Sequence, residues 1–322
     1  MSALKYRPEI DGLRAFAITP VVLFHAGFDW LSGGYLGVDI FFVISGYLIA
    51  SLILKEKECG NFTLLNFWER RARRILPALC FMVLICIPLG WLLFLPKELW
   101  EFQESVGSVA LFLSNHLFLD QSGYFDTAAE RKPLLHTWSL AVEEQFYLLF
   151  PLMSLVLWRS RIRFSLAVSA IVATSLALAH WLSFEKPAAA FYLLPTRAWE
   201  LCIGALLAIW LHHRASRQPK SNTVASISAI SGLILVVLCF FTYTPATPSP
   251  SLYTLVPVFG AALVIAGANS DNIVGRLLRL PLLVGVGLIS FSLYLWHQPV
   301  FAFARVQSLN TLAPGQIFFL LA

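Results

Sequence analysis

Residues 35–95 read YLGVDIFFVISGYLIASLIL, then KEKECGNFTLLNFWERRARR, then ILPALCFMVLICIPLGWLLFL. Two apolar runs of about 20 residues each flank a basic segment. A helix of that length covers the roughly 30 Å hydrocarbon core of a bilayer. The segment between them carries Lys55, Lys57, Arg70, Arg71, Arg73 and Arg74. Such a cluster marks the cytoplasmic side. Residues 35–95 therefore predict two antiparallel transmembrane helices joined inside the cell, and they set the fold class as all-α.

Working outward, further candidate spans are Leu13–Phe28, Val142–Trp158, Phe164–Ser183, Thr196–Leu211, Val224–Phe240, Leu252–Ala268 and Leu282–Ala304. A tenth begins near Gln316 and is cut off at Ala322. The expected architecture is a polytopic bundle of about ten helices forming one domain, 1–322. Of the 322 residues, 58% are hydrophobic and 13% charged. Soluble domains carry about 25% charged residues, and one core cannot bury this much apolar surface. The net charge of +5 does not indicate a nucleic-acid partner, because the basic residues sit in short loops between apolar runs. The five cysteines, Cys59, Cys80, Cys86, Cys202 and Cys239, lack metal-type spacing, so no metal is expected. The N-terminus has no cleavable signal pattern.

Orientation decides the status of Val106–Leu119, which is apolar but short. If it crosses, the basic loops around Arg159–Arg163, Arg214–Lys220 and Arg276–Arg279 fall outside. If it does not, all of them fall inside. It therefore reads as re-entrant or interfacial. The N-terminus, with Lys5 and Arg7, is then cytoplasmic, and His136–Gln145 lies on the outer face of the inner membrane.

Ionisable residues within spans mark functional sites. Arg14 and His25 stand eleven positions apart on the first helix. That is three turns plus about 20°, so they share a face, with a rise of about 16 Å. Asp11 sits at i−3 from Arg14 and can pair with it. Asp39 enters the second helix at a depth similar to His25, and a carboxylate there can orient the imidazole; it can equally cap its own helix. Arg14 can equally be a snorkelling interfacial cation, and His25 a packing histidine. The run FWERRARRI (67–75) makes a compact anion site, since the guanidinium fork binds phosphate oxygens; a topology signal alone would look the same. At the outer end HTWSLAVEEQFY (136–147) offers His136, Trp138, Glu143 and Glu144 for hydroxyl-rich ligands, or the two acids serve the helix dipole. Arg197 and Glu200 form an i,i+3 pair, and His297 is a further buried polar candidate.

Six blocks occur in order: EIDGLRAFAITPVVLFHAG, GGYLGVDIFFVISGYLI, FWERRARRILPAL, PLLHTWSLAVEEQFYLLFP, RAWELCIGALLA and FSLYLWHQPV. Together they resemble the acyltransferase-3 family of membrane acyltransferases, near its bacterial O-antigen and surface-polysaccharide O-acetylases. The resemblance implies transfer of acetyl from acetyl-CoA, as substrate rather than bound cofactor, to a hydroxyl of an extracytoplasmic glycan such as lipopolysaccharide O-antigen. The family's Arg-x10-His motif falls on Arg14 and His25, and its Arg-x2-Arg element on Arg71 and Arg74. Many members add an SGNH hydrolase-like domain after a further helix; none is expected within residues 1–322, which stop inside the tenth span. On these terms Arg71, Arg73 and Arg74 hold the donor, Arg14, His25 and Asp39 serve catalysis, and His136, Trp138, Glu143 and Glu144 hold the acceptor glycan. The competing reading from a different class is a proton-coupled secondary transporter, for which buried His and acids would also serve.

Overall fold

The computed structural model describes residues 6–123, 127–157, 160–215 and 222–307. Among these residues the chain is built of helices without strands. In order they are α1 (Pro8–His25), α2 (Gly37–Glu58), α3 (Leu64–Leu93), α4 (Pro96–Ala110), α5 (Ser114–Asp120), α6 (Thr137–Leu157), α7 (Arg161–Glu185), α8 (Pro187–Tyr192), α9 (Leu194–Ala215), α10 (Asn222–Thr242), α11 (Leu255–Gly267), α12 (Ile273–Leu278) and α13 (Pro281–Gln307).

Seven stretches among the described residues are helical, long and apolar enough to cross a bilayer: Gly34–Glu58, Leu64–Leu93, Thr137–Leu157, Ile162–Glu185, Pro187–Arg214, Asn222–Thr242 and Pro281–Gln307. The other two expected spans depart from that standard. α1 holds Glu9, Asp11 and Arg14 within 18 residues, and α11 has 13 residues, about 20 Å of helix. The span expected from Gln316 lies outside the described residues.

The exterior is apolar. Phe81, Leu84, Trp91 and Leu92 on α3, and Ile227, Ile234, Leu238 and Phe241 on α10, are all more than half exposed. Lipid, not water, is the solvent that such a surface matches. The interior holds the polar groups: Asp39, Arg197, Glu200 and His297 are each at most 1% exposed.

Two predicted features meet the structure differently. The basic segment is helix, not loop. Thr63 caps α3 by accepting a hydrogen bond from the Asn66 amide at 3.4 Å, and no Gly or Pro interrupts residues 64–74, so α3 runs 30 residues with the arginines in its first three turns. Val106–Leu119 does not form one helix. α4 ends at Ala110, Phe112 takes a φ of 53° and α5 restarts at Ser114. A left-handed residue breaks the helical ladder, so this segment does not cross as a continuous rod.

Close backbone approaches fix the bundle. On α2 and α9, a Cβ added at Gly46 would overlap the Leu201 carbonyl, and one at Gly204 the Val43 carbonyl. These pairings make α2 and α9 antiparallel. α1 and α13 lie side by side in the same direction: Gly287 abuts the Asp11 carbonyl at one end, and His25 meets His297 at the other.

Candidate functional site

The helix packing creates two chambers, one lined by arginines and one by histidines. The first, of about 820 Å3, lies among α1, α2, α3, α6 and α13. Arg14, Arg71 and Arg74 line it together with Ser45, Glu143, Tyr147, Ser290 and Tyr294. Arg14 is held by Asp11 at 3.3 Å. The Arg71 guanidinium lies over the Tyr147 ring at 5.6 Å and the Phe67 ring at 5.9 Å, and the Trp68 indole N–H donates to the Tyr147 carbonyl at 3.1 Å. Three cations round one largely apolar cavity are suited to a multiply charged anion with an apolar extension.

Arg73 does not join them. It points out of the cavity, pairs with Glu69 at 2.6 Å and is 78% exposed in its side chain. Glu143 does not sit with His136 and Trp138, as its place in the sequence suggested. It lies seven residues beyond His136, about 10 Å along the axis, which carries it into the arginine chamber. There its carboxylate accepts from the Ser45 hydroxyl at 2.6 Å and the Tyr147 hydroxyl at 3.3 Å. Glu144 is largely buried with one carboxylate oxygen unpartnered among the described residues.

The second chamber, of about 490 Å3, gathers His25, His136 and His297 with Tyr35, Asp39, Trp138, Arg197 and Gln298. The His25 Nδ1 bonds the Val21 carbonyl at 2.8 Å. A carbonyl only accepts, so Nδ1 carries the proton and Nε2 keeps the lone pair. The Arg305 guanidinium donates to the His25 carbonyl and pins the end of α1 to α13. The His25 and His297 rings are 5.2 Å apart, and His136 and His297 5.5 Å.

Asp39 does not orient His25. Its carboxylate takes Arg197 at 2.9 Å, and the same guanidinium nitrogen reaches Glu200 at 3.0 Å. In a buried site a carboxylate gains more from a permanent cation than from a neutral imidazole. The Arg197 plane also lies over Phe191 at 4.9 Å and Trp138 at 5.3 Å. The i,i+3 spacing exposed Arg197 and Glu200 in the sequence, but nothing there announced the contact with Asp39 158 positions away.

The two chambers abut. Val38 and Tyr294 line both. The Tyr294 hydroxyl bonds the Ser139 hydroxyl at 2.6 Å and the His136 carbonyl at 3.0 Å. Ser45, Tyr147, Ser139 and Tyr294 escaped the sequence reading, because neutral hydroxyls in apolar runs carry no spacing signal. Arg14 lines one chamber and His25 the other, so one helix face runs from arginines to histidine.

Comparison with known proteins adds a family. A model described as an acyltransferase domain matches residues 7–322. O-acetyltransferase OatA of Staphylococcus aureus (strain NCTC 8325 / PS 47) is 35% identical over 320 residues, covering 95% of this chain and 52% of the relative. Putative peptidoglycan O-acetyltransferase YrhL of Bacillus subtilis (strain 168) is 35% identical over 311 residues, 92% of this chain and 49% of the relative. Peptidoglycan O-acetyltransferase OatA of Listeria monocytogenes serovar 1/2a is 33% identical over 310 residues, again 92% and 49%. The chain spans about half the length of these curated relatives. No solved structure matches it.

Proposed function

Given that this chain belongs to the acyltransferase-3 family, we propose that it is a multi-pass O-acetyltransferase that acetylates a hydroxyl of a cell-surface polysaccharide. The observation that carries the reading is the pair of abutting chambers, arginine-lined and histidine-lined, sharing Val38 and Tyr294. Acetyl-CoA is the donor. Arg14, Arg71 and Arg74 hold its phosphates, and its thioester arm extends along the apolar wall towards Tyr294. His25 Nε2 meets the acetyl group in the second chamber. Trp138 and His136 offer the acceptor sugar an aromatic face and a polar edge. The arginine end faces the cytoplasm, as the positive-inside rule requires, and the protein resides in the inner membrane with its N-terminus inside. Glycan of the peptidoglycan type is the first acceptor, since two of the relatives carry that word in their names; lipopolysaccharide O-antigen is the second.

The test is isotopic. Membranes holding the protein are supplied with acetyl-labelled acetyl-CoA, and the label in peptidoglycan and in lipopolysaccharide is measured. Ester-linked label that disappears in His25→Ala membranes is expected. Equal label in the wild type, in His25→Ala and in membranes lacking the protein would refute the proposal.

A further inference from the structure

His297 brings an unpartnered ring nitrogen into the histidine chamber. It is fully buried, on α13 beside His25. Its Nδ1 bonds the Tyr294 carbonyl at 2.7 Å, so the ring proton is held there, because a carbonyl cannot donate. Nε2 is left as a bare lone pair, buried and without a partner among the described residues. Leaving such a group unsatisfied costs stability, and a chamber that holds one is suited to a donor from outside. A hydroxyl is that donor.

Of the other polar groups of the chamber, Asp39 and Tyr294 are engaged and His136 is not. Asp39 is committed to Arg197. The Tyr294 hydroxyl is shared between Ser139 and the His136 carbonyl. Neither ring nitrogen of His136 has a hydrogen-bond partner among the described residues, so no bond fixes its tautomer; its ring lies 5.5 Å from His297, whereas His297, with its proton fixed on Nδ1, is itself 5.2 Å from His25. The two imidazoles, His25 and His297, thus present equivalent tautomers: each anchors Nδ1–H on a helix carbonyl and keeps Nε2 free for chemistry.

We propose that the two rings divide the transfer, with His25 Nε2 carrying the acetyl group and His297 Nε2 acting as general base on the acceptor hydroxyl. This rests on the acetyltransferase reading above. In the first half, His25 Nε2 attacks the carbonyl carbon of the acyl thioester. The C–N bond forms, the C–S bond breaks, and the thiolate leaves with the electron pair to be protonated by water on its own side. The acetylated ring is cationic because Nδ1 keeps its proton against the Val21 carbonyl. In the second half, the sugar hydroxyl passes its proton to His297 Nε2 as its oxygen bonds the acetyl carbon. The C–N bond breaks, and the electron pair returns to His25 Nε2. His297 then releases its proton to water at the histidine end, and the net reaction is thioester plus alcohol to ester plus thiol.

The assignment predicts an uncoupling of the two halves. The full chain is reconstituted in lipid, acetyl-labelled acetyl-CoA is the donor, and glycan fragments with free sugar hydroxyls are the acceptor. In His297→Gln, label should still be released from the donor onto the protein, while transfer to glycan falls about 100-fold or more, the usual worth of a positioned base. The kcat/KM for acetyl-CoA should stay at the wild-type value, because it reports the first half alone, and the KM should fall together with kcat as the second half slows. His297→Ala, which leaves a ring-sized space, should lose glycan transfer likewise and regain part of it with added imidazole. Near-wild-type glycan transfer in His297→Gln would overturn the inference while leaving the proposed function standing. So would loss of protein labelling in parallel with glycan transfer, or His297→Ala without any imidazole rescue in protein that still binds acetyl-CoA. Absence of transfer in the wild type with every acceptor would instead overturn the proposed function itself.

Discussion

Arg71 and Arg74 on α3 are separated by 300° of helical rotation, so they are neighbours on one face, whereas Arg73 is turned some 160° away from Arg71. That rotation decides which arginines can touch a ligand. Arg71→Ala and Arg74→Ala should each raise the KM for acetyl-CoA about 10- to 100-fold, the worth of one or two charge-assisted hydrogen bonds. Arg73→Ala should change it by less than about twofold, because its exposed pair with Glu69 contributes little. Steady-state kinetics on the three variants in one lipid preparation checks the order. Arg197 belongs to a different category. Its removal leaves Asp39 and Glu200 buried without a cation, so Arg197→Met should cost about 3–5 kcal/mol of stability, read as loss of the folded fraction on thermal denaturation in detergent. The sequence disclosed residues that share a helix: Arg14 with His25, Arg71 with Arg74, Arg197 with Glu200. It missed the contacts of Asp39 with Arg197 and of Glu143 with Ser45, which come from other helices, because no spacing rule reports which neighbours the packing will bring.

At the scale of elements, charge and hydropathy located the spans well and the ends of helices poorly. α3 begins at Leu64 rather than Ile75, since a Thr cap and an uninterrupted run of helix formers extend it past the apolar stretch. The short Val106–Leu119 segment, which loop charge sets apart from the spans, is broken at Phe112. What hydropathy does not report is how closely two helices pack. α2 and α9 touch through Gly46 and Gly204, which holds Asp39 within reach of Arg197. Gly46→Leu should force these helices apart, costing at least about 1–3 kcal/mol, and should lower the yield of monodisperse protein on gel filtration. The exposed Gly107, with nothing near its Cβ position, should accept Ala without such loss.

For the whole molecule, the two chambers impose a direction. α1, α3 and α13 run from the arginine end to the histidine end, and α2 and α6 return. Cys59 sits exposed in the turn between α2 and α3, at the arginine end. A membrane-impermeant maleimide should therefore modify Cys59 in inverted membrane vesicles and not in intact cells; the reverse pattern would place the arginines outside. The central claim is that acetyl passes from one chamber to the other, past Val38 and Tyr294. The most direct measurement uses sealed proteoliposomes with acetyl-labelled acetyl-CoA on the arginine side and glycan acceptor confined to the histidine side. The account predicts labelled ester on the glycan, coenzyme A retained on the donor side, and neither in His25→Ala vesicles. Transfer that occurs only when donor and acceptor share one side, or intact acetyl-CoA recovered with the acceptor, would contradict it.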